Sequence, residues 1–173
     1  MRLGVDEVGV TELMGVTEHT RALATAAAGL FLESLDGGRS LVPPVTRPTA
    51  DPAVETLLEE IAAAVPASMG RAEIPLLWRA LARNRHYLES TWRKEQVVMR
   101  AGALTERDKR RTALGVSMAM RARYMIEYNA SILRTSGDGD EDVLEILGVV
   151  DHYTTLNTLS EAMQIESDIR PPA

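Results

Sequence analysis

Apolar side chains recur at intervals of three and four along most of the chain, and this is the period of an amphipathic α-helix. The first such segment runs from about Val10 to Leu35, with Leu23, Ala27, Leu30 and Phe31 on one face. Gly37 and Gly38 follow it as a stop signal. The pattern therefore predicts a long N-terminal helix.

A proline-rich segment separates this helix from the rest of the chain. Residues 39–50 include Pro43, Pro44 and Pro48, which prevent a regular helix because proline lacks the amide hydrogen and clashes with the preceding turn. We expect an extended connector on the surface. The resulting division is an N-terminal helical arm with its connector, 1–45, and a helical domain, 46–173.

The remaining pattern predicts helices and no β-strand. Asp51 before Pro52 has the form of an N-cap and first-turn pair, and Thr105 with Asp108 resembles a capping box. The expected helices span about 52–66, 75–82, 86–101, 105–120 and 140–165, and the fourth either continues to 136 or breaks first. The sequence thus predicts an all-α fold, a compact multi-helix bundle.

Two polar residues interrupt otherwise apolar helical stripes, so both are expected to point inward. Asn129 lies among Ala122, Met125, Ile126, Ile132 and Leu133; His152 lies in the series Val149, Leu156, Leu159 and Met163. Asn129 is either a structural amide satisfied by backbone groups or a group that orients a substrate oxygen or a water. His152 is either a hydrogen-bonded core residue or the best acid-base candidate.

Other polar residues also have two interpretations. Arg110 has the fork geometry to bind a carboxylate, but its neighbours Lys109 and Arg111 favour a solvated basic turn. Tyr124 and Tyr128 either line a pocket with phenolic donors or form packing contacts. The histidines form no cluster with acidic residues, so we predict no metal site and no cofactor.

Composition narrows the possible functions. The chain of 173 residues has a net charge of -6, which disfavours nucleic acid as a partner, and it contains no cysteine. Disulfides, thiolate nucleophiles and thiolate metal sites are therefore excluded. The longest early apolar stretch, 22–32, is about half of a bilayer span and follows acidic residues. We expect a cytoplasmic protein that does not bind a membrane.

Four stretches between residue 74 and about residue 163 resemble the alkylhydroperoxidase D (AhpD) and carboxymuconolactone decarboxylase family. In chain order they are IPLLWRALARNRHYLESTW, GALTERDKRRTALGVSMAM, RYMIEYNASILRTSG and VLEILGVVDHYTTLNTLSEAM, which are similar to the family's leading, central, active-site and closing helices. The resemblance spans residues 74–163. It implies an AhpD-like helical bundle that commonly assembles into trimers or hexamers.

The family's reactive groups are replaced in this chain. In redox-active members a glutamate precedes two cysteines separated by two residues, and a histidine stands four residues after the second cysteine. Aligned without gaps, these positions are Arg110, Ala122, Met125 and Asn129. Peroxide reduction needs an ionised thiol and a resolving thiol, and neither alanine nor methionine ionises. The resemblance therefore implies the fold without thiol peroxidase activity.

Two functional hypotheses follow. The first is a non-catalytic homo-oligomer, a trimer or hexamer, with a structural, binding or regulatory role. The alternative is a non-redox lyase or hydrolase acting on a small anionic or carbonyl substrate in the former peroxidase pocket. In that alternative His152 and Asn129 are catalytic, and Arg110, Tyr124 and Met125 bind the substrate.

Overall fold

The computed structural model describes residues 6–32, 40–65 and 74–166, and these residues form seven α-helices and no β-strand. In chain order the helices are α1 (Glu7–Gly29), α2 (Pro52–Ala64), α3 (Leu76–Leu81), α4 (Arg85–Met99), α5 (Glu106–Ala119), α6 (Arg123–Thr135) and α7 (Asp140–Ala162). The all-α prediction is confirmed. In this part of the chain no helix is both long enough and apolar enough to cross a bilayer.

Side chains that accept a hydrogen bond from a first-turn amide define four helix starts. Asp6, Asp51, Asn84 and Thr105 cap α1, α2, α4 and α5, respectively. Asp51 accepts from the Ala53 amide at 2.9 Å, with Pro52 as the first helical residue, as the sequence predicted. Local chemistry therefore sets these boundaries.

The first helix begins earlier and ends earlier than predicted. The Asp6 cap places its start at Glu7, and it ends at Gly29, so the predicted end at Leu35 is wrong. Phe31 has a φ of 55°, and this left-handed conformation turns the chain so that Leu32 enters the core. Burial of Leu32 outweighs the continuing helical pattern. The Gly37–Gly38 stop signal lies outside the described residues.

The region that resembles the AhpD family contains a break between α5 and α6. Arg121 has a φ of 54°, and the amide of Ala122 donates to the carbonyl of Ser117 at 3.0 Å, which closes α5 before α6 begins. The sequence left open whether this segment is one helix or two. The sharp turn brings α6 back against α5, and both helices contribute to the candidate site described below.

The main apolar core of the bundle includes residues of α1. Trp78 of α3, Leu88 of α4 and Met125 of α6 are buried in this core together with Leu23 and Ala27 of α1. Helix α1 contacts α4, α5 and α6. The predicted division at residue 45 stays a prediction, but the N-terminal helix packs within its own chain.

Glu12 fastens α1 to the loop before α5. Its carboxylate accepts from the amides of Ala103 and Leu104, at 3.1 and 2.9 Å, and lies 3.1 Å from the ammonium of the buried Lys109. A Cβ on Gly102 would lie 2.0 Å from a Glu12 carboxylate oxygen, so a larger residue at this position would displace the Glu12 side chain. These contacts hold the start of α5 in place.

Helix α7 packs on α5 but has no buried residue. Arg111 bonds to Asp142 at 2.6 Å, and Gly115 faces Ile146 and Val150, so the two helices run in the same direction. The prediction that the His152 stripe faces the core is wrong. His152 is exposed, as are the four apolar members of its stripe, which are Val149, Leu156, Leu159 and Met163. Helix α5 ends about one turn beyond Gly115, whereas α7 continues about three turns beyond Val150, so most of this stripe extends past α5.

Candidate functional site

Asn129 points inward from α6, as predicted, and all of its side-chain polar atoms are engaged. Its amide nitrogen donates to the Ser117 hydroxyl at 3.1 Å and to the Met125 carbonyl at 2.9 Å. Its oxygen accepts from the Arg110 guanidinium at 3.0 Å. The residue is completely buried. Side chains from α5 and one carbonyl of its own helix thus fix the orientation of the amide.

Arg110 of α5 bridges Asn129 to a carboxylate that sequence analysis did not identify. A second nitrogen of its guanidinium donates to Glu95 of α4 at 2.9 Å. The same guanidinium lies 5.8 Å from the centre of the Tyr128 ring, within the range of a cation-π contact. Arg110 therefore binds a carboxylate, as its fork geometry suggested, but that carboxylate belongs to the protein.

His19 of α1 completes the cluster from the opposite side. Its Nε2 lies 2.8 Å from the second carboxylate oxygen of Glu95, and both side chains are buried. Glu95 therefore joins α1 to α5 through one carboxylate. We call His19, Glu95, Arg110, Asn129 and Ser117 the buried polar cluster. Among the described residues, no buried side-chain nitrogen or oxygen lacks a hydrogen-bond partner.

The electrostatics of the cluster keep its central pair charged. Burial by itself raises the pKa of Glu95, but the charge of Arg110 and the hydrogen bond with His19 outweigh it and lower the pKa to about 2. Burial likewise lowers the pKa of Arg110, and Glu95 more than reverses that effect. Burial raises the pKa of Tyr128 to about 12, so its phenol stays neutral. The cluster is a buried ion pair at neutral pH.

Both tyrosines of α6 attach this helix to α3. The Tyr124 hydroxyl accepts from the Leu77 amide at 3.0 Å, and the Tyr128 hydroxyl accepts from the Trp78 indole at 3.4 Å. Tyr124 and Met125 are buried in the main core. The packing interpretation of the tyrosines agrees with these contacts. The substrate-binding roles assigned to Tyr124 and Met125 stay hypotheses.

The basic run on α5 is not a solvated turn, so that interpretation is wrong. Lys109 is buried and donates to the Arg100 carbonyl at 2.7 Å. Arg111 bonds to Asp138 at 2.7 Å and to Asp142. Burial raises the pKa of Asp138, but Arg111 and Arg107 outweigh it and lower that pKa. Helical geometry sends the consecutive cations in different directions, so each of them has its own partner.

A cavity of about 390 Å³ opens beside the buried polar cluster. Glu95, Arg110 and Tyr128 line its polar side, and Trp92, Met99 and Ile132 line its apolar side. A second, smaller cavity of about 220 Å³ reaches His19 between α1 and α4. Glu95 therefore lies between the two cavities. The larger cavity has the size and mixed lining of a small-molecule pocket.

His152 does not reach this site. It lies on the exposed side of α7, where its ring stacks edge-on against Tyr153 with the ring centres 5.5 Å apart. The structure therefore brings together Arg110, Asn129 and Met125 but leaves His152 apart from them. Within the described part of the chain, no group of three or more metal-ligating side chains is present.

Sequence analysis missed His19 and Glu95, although both carry the signal that identified Asn129. His19 lies three residues after Val16 and four before Leu23. Glu95 has the same spacing between Trp92 and Met99. Each is a polar side chain on an apolar helical stripe, which predicts burial with a partner. Pairing them across 76 residues required the tertiary structure.

Comparison with known proteins supports the fold. The structure is similar to the crystal structure of the alkylhydroperoxidase AhpD core from Rhodospirillum rubrum, with a TM-score of 0.67 and 26% sequence identity. The match covers 76% of this chain and 96% of that one. No protein-family model matches the chain, and no curated protein matches it. The predicted resemblance is confirmed: the chain is AhpD-like and forms an all-α bundle.

Proposed function

We propose that this protein is a non-catalytic AhpD-like homo-oligomer with a structural, binding or regulatory role. The buried polar cluster carries this proposal. At the positions aligned with the family's glutamate and histidine stand Arg110 and Asn129, which bond to each other and to further buried side chains. With no cysteine in the chain, the pocket has no thiol to donate electrons.

The contacts of the buried polar cluster favour a structural role over a catalytic one. A buried ion pair is tolerated when each charge has a partner and the remaining donors and acceptors are satisfied, and this arrangement fits that description. Glu95 connects α1, α4 and α5 through its two oxygens. The polar groups of the former reaction centre therefore serve to hold helices together.

The exposed surface of α7 supports assembly into a homo-oligomer, a trimer or hexamer. Helix α7 has no buried residue, and its large apolar side chains are exposed. Exposed apolar surface of this kind is typical of a protein–protein contact. Tyr153, Leu156 and Leu159 are 62%, 43% and 52% exposed, respectively. A neighbouring subunit would remove this surface from water.

The experiment combines a reaction assay with a mass measurement. Purified protein is incubated with hydrogen peroxide and an organic hydroperoxide in the presence of a dithiol, and its mass is measured by sedimentation equilibrium. We expect no peroxide turnover above a heat-treated control, and a mass that is a multiple of the chain mass. Dithiol-dependent turnover or a strictly monomeric species at micromolar concentration would contradict the proposal.

The cavity beside Glu95 and Arg110 favours a second candidate function, a non-redox lyase or hydrolase with a small anionic or carbonyl substrate. Its volume of about 390 Å³ suits such a ligand, and two charged side chains border it. The acid-base group of this candidate would come from the His19–Glu95 pair, since His152 lies elsewhere. Turnover of any member of a panel of lactones, keto acids and halo acids, lost in an Arg110→Met variant that circular dichroism shows to be folded, would favour this candidate.

A further inference from the structure

The exposed stripe of α7 has the spacing of a coiled-coil seam. Val149, His152, Leu156, Leu159 and Met163 are separated by three, four, three and four residues. In heptad terms they occupy positions a, d, a, d and a, which face a second helix when two helices pack at a period of 3.5 residues. Four of the five are apolar. A single polar residue in such a seam is a feature that specifies register.

This seam is distinct from the side of α7 that packs on its own chain. Ile146 and Val150 face Gly115 of α5. At 100° per residue, the seam lies about 120° around the helix from that contact. Beyond the contact between Gly115 and Val150, α5 continues for about one turn, to Ala119, whereas α7 continues for about three turns, to Ala162. The second half of α7 therefore extends past the helix that supports its first half.

The composition of this extension indicates that the helix needs stabilisation from another surface. Residues 154–158 include Thr154, Thr155, Asn157 and Thr158, which are weak helix formers, and all are exposed. The extension is about ten residues long, and isolated helices of about that length are marginal in water even with strong helix formers. An extension that is helical and carries an apolar seam is most simply stabilised by burying that seam.

We infer that the seam of α7 binds the same seam on a second copy of this chain. The charges along the part of α7 that carries the seam, residues 148–163, permit such pairing. Asp151 and Glu161 occupy positions c and f, which point away from the seam, and the flanking e and g positions hold uncharged residues: Gly148, Tyr153, Thr155, Ser160 and Ala162. Two identical acidic helices therefore meet without like charges facing each other at the edges of the seam. This inference rests on the proposed homo-oligomer and assigns one of its contacts, since a seam that binds the same seam joins two chains about a twofold axis, as a hexamer allows.

Matched substitutions on two faces of α7 test the inference. Leu156→Glu and Leu159→Glu place a carboxylate in the seam, whereas Thr154→Glu places the same charge at position f, opposite the seam. All three side chains are exposed within one chain, so the helical bundle is expected to fold in every variant, and circular dichroism with urea unfolding checks this. The dissociation constant of each is measured by sedimentation equilibrium.

We expect each seam variant to raise the dissociation constant by on the order of tenfold or more, because a buried carboxylate without a partner is costly. Thr154→Glu should leave it within about twofold, and His152→Leu should lower it. Wild-type protein that is monomeric would overturn both the assembly and the seam. A wild-type oligomer that persists unchanged in Leu156→Glu and Leu159→Glu would overturn the seam alone and leave the proposed homo-oligomer intact.

Discussion

Asn129 and His152 have the same sequence signature but lie in opposite environments. Each is a polar side chain in a helical stripe of apolar residues. Asn129 is completely buried and bonds to Arg110 and Ser117, whereas His152 is exposed on a helix with no buried residue. The stripe itself predicts only that a surface will be covered. Whether the chain's own core or another molecule covers it depends on what lies opposite.

The two regions also differ in how their polar groups are satisfied. The α6 stripe faces α5, which supplies a side-chain partner for each polar atom of the Asn129 side chain: Arg110 for its oxygen and Ser117 for its nitrogen. Most of the α7 stripe extends beyond the end of α5, and its apolar side chains are exposed. Changes in the first region should therefore alter folding, and changes in the second should alter association.

The largest expected effect comes from removing the central carboxylate of the buried polar cluster. Glu95→Ala leaves the Arg110 charge without its carboxylate partner in a buried site and removes the hydrogen bond to His19. We expect the free energy of unfolding to fall by about 3–5 kcal/mol. Urea denaturation followed by circular dichroism measures this value.

An exposed ion pair provides the control for that measurement. Arg123 and Glu127 lie 3.2 Å apart on the surface of α6, and Arg123→Ala should cost less than about 1 kcal/mol. The double variant Glu95→Leu with Arg110→Met removes both buried charges. It should be less destabilised than the sum of its two single variants. Equal losses in Glu95→Ala and Arg123→Ala would refute the assignment of the cluster as a folding device.

A somewhat smaller effect is expected from acid. The pKa of Glu95 is lowered from 4.5 to about 2 in the folded protein, so its carboxylate stabilises the fold at pH values above 4.5. That contribution, on the order of 3 kcal/mol, is lost as the pH falls from about 4.5 to about 2. The measurement is the free energy of unfolding of wild type and Glu95→Gln across this range. Parallel curves for the two proteins would show that Glu95 is not the group responsible.

The smallest pair of effects tests the comparison directly. Asn129→Ala removes the acceptor of one Arg110 hydrogen bond and the donor to Ser117, and should cost about 1–3 kcal/mol of unfolding free energy. His152→Ala should change the unfolding free energy of the dissociated chain by less than about 0.5 kcal/mol. Thermal unfolding, measured at protein concentrations below the dissociation constant of the oligomer, compares the stability losses of Asn129→Ala and His152→Ala. A larger loss in His152→Ala would mean that the two stripes are alike.

Local sequence signals predicted most of the helices but not how the site is built. The caps at Asp51 and Thr105 and the inward position of Asn129 follow from side-chain chemistry and spacing within one helix. The His19–Glu95 contact joins residues 76 positions apart, and no local pattern contains that pairing. Local signals also could not predict the end of α1, because burial of Leu32 ended a helix whose periodic pattern continues.

The sequence by itself determined the helical class, the AhpD-like order of helices and the absence of a thiol, because periodicity, caps and residue identity are properties of short segments. Only the tertiary structure decided which polar residues meet and which apolar stripe is left uncovered. Arg110 binds Glu95 because α4 lies beside α5, and His152 is exposed because α7 is longer than its support. Both outcomes depend on the relative positions and lengths of helices that are distant in the chain.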